Sequence, residues 1–284
     1  MRSIICLISC KDKEGVISKI TDFIQTNKGN IISLHQYVDR ENGMFFMRIK
    51  WSVKTLKLSI DEIRLLFKNL LDHDSNSKIN LFKDSDRPNM AIMCSKDKHC
   101  LMDILSRHKL SEFNIEIPLI ISNHKSVESI AKLFNIPFYY FNLKENNKKD
   151  VEDSQIELMK KYNIDFISLA RYMQILSPNF VSKFLNNIIN IHHSFLPAFI
   201  GAKPYHAAFK RGVKIIGATT HYVTSELDAG PIITQSIINI SHEYGVEELV
   251  KKGRELEKSS LSKSIMLHSE RRILVYNSKT IIFE

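Results

Sequence analysis

Cysteine is scarce, with four in 284 residues. Cys6, Cys10, Cys94 and Cys100 fall in two loose pairs without metal-site spacing. Cys6 and Cys10 sit four apart inside an apolar run, where a free thiol behaves as a small hydrophobe. Neither zinc nor structural disulfides are expected. No apolar run approaches the roughly 20 residues that span a bilayer, so no membrane partner is expected. Met1 to Cys10 carries one positive charge and a short apolar stretch, but Lys11-Asp12-Lys13-Glu14-Gly15 follows without a small-residue cleavage site. The segment therefore reads as a first strand, and the expected location is the cytoplasm. There is no internal repeat and no low-complexity tract. The net charge of +9 is spread among lysines along the chain, with no basic block longer than Asn146-Asn147-Lys148-Lys149. That excludes a nucleic-acid stripe and favours an anionic small substrate.

What is present is an ordinary globular composition, 44% hydrophobic and 25% charged, long enough for two domains. The first part reads strand, helix, strand, strand, helix, strand. Ser3 to Ser9 is a buried strand, and Val16, Ile20, Phe23 and Ile24 recur at helical spacing. Ile32, Leu34 and Val38 alternate before an Asn42-Gly43 turn. Phe45, Met47, Ile49 and Trp51 then line one strand face, with Arg48 and Lys50 on the other. Ile60, Ile63, Phe67 and Leu70 form a helix, and Ile79 to Phe82 closes a ferredoxin-like α+β unit over residues 1–83. The polar, Pro-ended segment 84–89 is the expected linker.

From 90 to 284 apolar strands alternate with helices: Met90 to Cys94, Ile115 to Ser122, Phe138 to Phe141, Phe166 to Ala170 and Ile188 to His192. This predicts an α/β domain with a doubly wound, mostly parallel sheet, whose ligands bind beyond the carboxyl ends of strands. Ile215 to Val223 and Ile232 to Ile240 are β-rich. A long helix carries Val246, Leu249, Val250, Leu256 and Leu261 inward, and short strands at 273–276 and 280–283 end the chain.

At one such carboxyl end stands Asn190-Ile191-His192-His193-Ser194-Phe195-Leu196-Pro197, answered later by Leu227-Asp228-Ala229-Gly230-Pro231. Ile189 and Ile191 alternate with Asn190 and His192, so a strand turns the amide and the imidazole to one face. Singly, such residues commonly satisfy buried polarity or shape turns. Together, a donor for an oxyanion, a proton carrier and a carboxylate suit attack on an acyl carbon.

With Ser168 to Leu176, these two segments resemble the formyltransferase superfamily that uses 10-formyltetrahydrofolate. The run from His192 through Phe199-Ile200-Gly201-Ala202-Lys203-Pro204-Tyr205-His206 looks like its formyltetrahydrofolate deformylase branch. The first unit resembles an ACT domain. The resemblance implies a catalytic trio of Asn190, His192 and Asp228. It also implies a pterin-holding loop of Met173, Gln174, Ile175 and Leu176, with Thr219 and His221 in support. It further implies hydrolysis of 10-formyltetrahydrofolate to tetrahydrofolate and formate, supplying purine biosynthesis and balancing one-carbon folate pools.

Related glycinamide ribonucleotide formyltransferases open this domain with a Gly-rich phosphate cradle. Here Cys94-Ser95-Lys96-Asp97-Lys98-His99 has no Gly and an added carboxylate, and Gln174 stands where those transferases have Arg. Both departures point to water as acceptor. Methionyl-tRNA formyltransferases carry their extra module at the other end. The alternatives are formyl transfer to an amine such as glycinamide ribonucleotide, against which the missing cradle argues, and a non-catalytic folate- or amino-acid-binding regulator, against which the complete trio argues.

The expected partners are the folate substrate and water, with no metal and no further cofactor. An ordinary Asp pKa of about 3.9 is low for a base at neutral pH, so for Asp228 to position and deprotonate water, partial burial or transfer to the developing imidazolium has to offset it. For the first unit the resemblance implies either an amino-acid effector at Asp12, Gly15 and Val16 or a homo-oligomerisation module.

Overall fold

The computed structural model describes residues 2–53, 58–71, 77–197 and 204–284. They form two compact units. One comprises Met1–Asp86 with Arg271–Leu274 and Ile281–Glu284, the other Arg87–Glu270 with Val275–Thr280.

The first unit runs β1 (Arg2–Lys11), α1 (Val16–Thr26), β2 (Gly29–Asp39), β3 (Met44–Val53), α2 (Ile60–Leu70) and β4 (Lys78–Lys83). The strands lie in the order β2-β3-β1-β4 with every neighbour antiparallel, which is the ferredoxin-like arrangement. Alternation places Cys6, Ile8, Met47, Ile49 and Trp51 on one face, packed against Ile20 and Ile24 of α1 and Ile63 and Phe67 of α2. Each such side chain contributes about 1.5–3 kcal/mol on burial. Ser59 and Glu62 start α2 with a reciprocal capping box.

The second face of β3 is covered too. Phe46 and Arg48 are buried, and Arg48 Nε donates to the Arg271 carbonyl at 2.9 Å. The Arg271 guanidinium lies 4.3 Å over the Phe82 ring. The reading from sequence gave all of 90–284 to the second domain, whereas these contacts tie the outer parts of the last hairpin to the first unit. A four-residue apolar run carries no mark of which sheet it will cover.

The second unit contains β5 (Asn89–Cys94), α3 (His99–Lys109), β6 (Glu116–Ser122), α4 (Glu128–Leu133), β7 (Phe138–Tyr140), α5 (Lys148–Lys161) and β8 (Phe166–Ala170). After these come α6 (Pro178–Lys183), β9 (Ile188–His192), α7 (Pro204–Arg211), β10 (Ile215–Tyr222), β11 (Ile232–Asn239) and α8 (Val246–Ser269). The chain closes with the paired strands β12 (Ile273–Tyr276) and β13 (Lys279–Ile282).

The large sheet has the order β11-β10-β9-β8-β5-β6-β7. Strands β9, β8, β5, β6 and β7 are parallel, and β10 and β11 add an antiparallel edge. Winding starts at β5, proceeds to β6 and β7, then returns to β8 on the other side. The order therefore reverses between β5 and β8, where such sheets open a crevice at their carboxyl ends. Among the described residues no helix is long and apolar enough to cross a membrane.

Candidate active site

Strand β9 ends at His192, as its sequence suggests, ahead of the 193–197 turn. Ile189 and Ile191 are buried on one side, which turns Asn190 and His192 to the other. The antiparallel register with β10 sets His221 opposite Asn190 and Thr219 opposite His192. Thr219 Oγ1 donates to the Ser194 carbonyl and accepts from Leu196 N, and Gln235 Nε2 donates to the Leu196 carbonyl. The turn leaving β9 is thus fastened to the neighbouring strands.

Asp228 lies on the connection between β10 and β11, in left-handed backbone with φ 55°. The connection is tight: a Cβ on Gly230 would stand 1.7 Å from the Tyr222 carbonyl oxygen, so only glycine fits there. Asp228 Oδ2 is 3.2 Å from His192 Nδ1, and Oδ1 is 3.5 Å from His221 Nε2. Both imidazoles hold the Asp228 carboxyl well below the usual carboxylate range, outweighing the upward push of burial. Of the two ways to offset its low pKa, burial is thereby overturned, and transfer to the imidazolium is left. The sequence does not show that two rings face this carboxylate.

His221 Nδ1 lies 2.9 Å from the Tyr222 carbonyl, which can only accept, so Nδ1 carries the proton. Nε2 faces two groups: the Asn190 amide nitrogen at 3.2 Å, from which it accepts in the neutral ring, and Asp228 Oδ1 at 3.5 Å, to which it donates in the charged ring. One amide N–H of Asn190 is taken up in this way, and the other is available to a ligand. His192 Nε2 is buried and has no partner among the described residues. The pairing with Asp228 leaves this second ring nitrogen unengaged.

These groups line a cavity of about 580 Å³ together with Met173, Gln174, Ile175 and Leu176. Tyr172 and Leu176 are buried anchors, while Met173 and Ile175 are 57% and 61% exposed, so the loop leaves these two apolar side chains uncovered beside the cavity. All the proposed trio and loop residues and His221 therefore meet at one place. Residues 198–203 of the long motif after Pro197 lie outside the described residues.

The same cavity holds a group that sequence reasoning missed. Glu257 of α8 is 1% exposed, accepts from His99 Nε2 at 2.8 Å and Tyr205 Oη at 2.7 Å, and lies 3.5 Å from Arg171 Nε. Arg171 in turn donates from Nε and Nη2 to Asp97 at 3.2 and 3.1 Å. The carboxylate that replaces the Gly-rich cradle is therefore bound to an arginine. Burial pushes the Glu257 carboxyl up, but His99, Arg171 and Tyr205 together bring it below its ordinary value. Burial and the nearby Arg171 charge lower His193 to about 4, keeping it neutral.

His99, Cys100 and Glu257 lie close enough to hold a cation. With Arg171 and the Tyr205 hydroxyl already on Glu257, and the Cys100 thiol pushed well up by burial, the donor set suits a hydrogen-bond lattice better. The signal for this lattice was Gly253 in the middle of α8, where a Cβ would stand 2.1 Å from the Tyr205 ring.

In the first unit Asp12, Gly15 and Val16 come together with Lys13, Gln36 and Val38 around a separate open cavity of about 440 Å³.

The sequence pattern of the formyl transferase family matches residues 88–265. A formyltetrahydrofolate deformylase of Synechocystis sp. is 46% identical over 277 residues, covering 98% of this chain and 97% of the relative. The crystal structure of a formyltetrahydrofolate deformylase from Pseudomonas syringae superposes with a TM-score of 0.96 at 38% identity, covering 100% of this chain and 95% of that one. A glycinamide ribonucleotide transformylase from Symbiobacterium toebii, 25% identical with a TM-score of 0.66, covers 72% of this chain and 98% of its own.

Proposed function

The chain belongs to the formyltetrahydrofolate deformylases, and on that premise we propose that it hydrolyses 10-formyltetrahydrofolate to tetrahydrofolate and formate through Asn190, His192 and Asp228. The observation that supports this reading is the pairing of Asp228 with His192 Nδ1 in the wall of the cavity, which leaves Nε2 buried and without a partner among the described residues. Met173 to Leu176 take the pterin ring, setting the formyl carbon beside that nitrogen.

Water attacks the formyl carbon and gives a proton to His192 Nε2 as the new C–O bond forms. A carboxyl held as far down as Asp228 is a poor resting place for that proton. Its role is to orient the water and to carry the counter-charge of the imidazolium. The available Asn190 N–H donates to the oxyanion. When the C–N10 bond breaks, His192 Nε2 returns the proton to N10, and formic acid ionises to formate. No metal and no cofactor enter these steps. Formate so released would supply purine biosynthesis and balance the folate pools.

Amine transfer is disfavoured by the Asp97 and Arg171 pairing, which places a neutralised pair where a phosphate-bearing acceptor would need cationic or backbone donors. Purified protein is expected to release formate at the same rate with or without glycinamide ribonucleotide. Turnover only in its presence would make the protein a transferase.

The first unit, as an ACT domain, is proposed to join copies of the chain into a homo-oligomer in the cytoplasm and to take an amino acid near Asp12, Gly15 and Val16. A thermal-shift screen with free amino acids tests the effector. No change in melting or activity would leave oligomerisation as its role.

A further inference from the structure

The loop from Arg171 to Ser177 is fastened at its two ends by side chains that never reach the reacting atoms. At the first end Ser95, 2% exposed, donates from Oγ to Asn123 Oδ1 at 2.7 Å and accepts from Met173 N at 3.0 Å. Its own backbone N–H donates to the Arg171 carbonyl at 3.2 Å, and Arg171 holds left-handed backbone at φ 62°. At the second end Glu152 Oε1 accepts from Ser177 N at 3.0 Å.

Glu152 is the unusual member. It is 3% exposed on α5, beside Ile156 and Met159 of the apolar cluster that also holds Tyr172, Leu176 and Phe180. Among the described residues no cation stands within ion-pair distance of it. Gln155 is 1% exposed next to the Tyr172 hydroxyl, and its amide atoms find no well-formed hydrogen bond among the described residues. A buried carboxylate without a cation is unfavourable for folding, and an apolar side chain of similar volume is often as stable or more so. Packing therefore does not explain Glu152. What it does is take up the backbone N–H where the cavity loop turns into α6.

We propose that Glu152 and Ser95 are positioning residues that clamp the two ends of the Met173–Leu176 loop and so set the affinity for the folate ring. Between the clamps, Tyr172 and Leu176 are pressed into the core while Met173 and Ile175 stay out. The loop then enters the binding step already ordered, so little conformational freedom is lost when the ligand arrives. This inference rests on the proposed role of that loop in substrate binding.

The test compares Glu152→Leu, Glu152→Gln, Ser95→Ala and Ile175→Asp by steady-state formate release and thermal melting of the full chain. Glu152→Leu is expected to raise KM about tenfold, as loss of a buried hydrogen bond to the loop backbone permits, with kcat within about threefold. Its melting temperature should hold or rise. Glu152→Gln keeps an acceptor oxygen and is expected to restore most of the affinity.

A folded Glu152→Leu protein with unchanged KM overturns the clamp. So does a KM rise that Glu152→Gln shares in full and that tracks lost stability, since a merely structural role would give that pattern. Ile175→Asp separates the two readings. If it leaves KM unchanged, the loop does not bind folate; if it raises KM while Glu152→Leu does not, only the clamp fails. Should Glu152→Leu not fold, Ser95→Ala carries the same test at the other end, with a KM rise expected and an unchanged KM overturning the proposal.

Discussion

Asp228 is the residue at which charge and geometry converge. It sits in left-handed backbone, strain of roughly 1–3 kcal/mol that functional sites commonly hold, and it touches both imidazoles. Asp228→Asn keeps the shape and removes the charge, and turnover is expected to fall about 10³-fold or more, beyond the roughly 10²–10³ expected for loss of the oxyanion donor in Asn190→Ala. Comparing the two kcat values checks the order, and wild-type-like turnover in Asp228→Asn would remove it from the mechanism.

At this scale the sequence was informative about which side chains share a face, because alternation along β9 is local. It was silent on the pairing of His221 with Asn190, which depends on strand register across 31 residues of chain. It also left the shift of Asp228 undecided, because its sign depends on neighbours rather than on burial alone.

Among the elements, α8 shows how a helix can carry a glycine mid-way for the close approach of a neighbour, here Tyr205 of α7. Gly253 lies mid-helix, where alanine is intrinsically better by about 1 kcal/mol. Here a Cβ would meet the Tyr205 ring at 2.1 Å and disturb the hydroxyl that Glu257 accepts. Gly253→Ala is therefore expected to lower the melting temperature by several degrees, since overpacking costs about 1–3 kcal/mol. A melting temperature that rises would show that α7 yields freely. Strand and helix positions were largely legible from periodicity, as Phe166–Ala170 and Ile188–His192 show at both ends. The lattice around Glu257 was not, because His99, Arg171, Tyr205 and Glu257 lie on four separate segments, and only Gly253 hinted at a close approach.

For the whole molecule the consequence is acid sensitivity. His193, lowered from 6.5 to about 4, binds its proton more readily in the unfolded chain. Its contribution to stability is complete above pH 6.5 and is lost as pH falls towards 4. Asp228 and Glu257 are also shifted down, so their contributions are present above the ordinary carboxylate range and are lost only at lower pH. Melting temperature should therefore decline in two stages on acidification. His193→Gln is expected to flatten the stage between 6.5 and 4; an unaltered profile would place the effect elsewhere.

The central claim is that water, held at Asp228, is the acceptor of the formyl group. A single turnover of 10-formyltetrahydrofolate in oxygen-18 water, with mass analysis of the formate, tests it most directly. The account predicts one heavy oxygen in each formate released. Formate without the label, or a formyl group recovered on an added amine in place of formate, would contradict it.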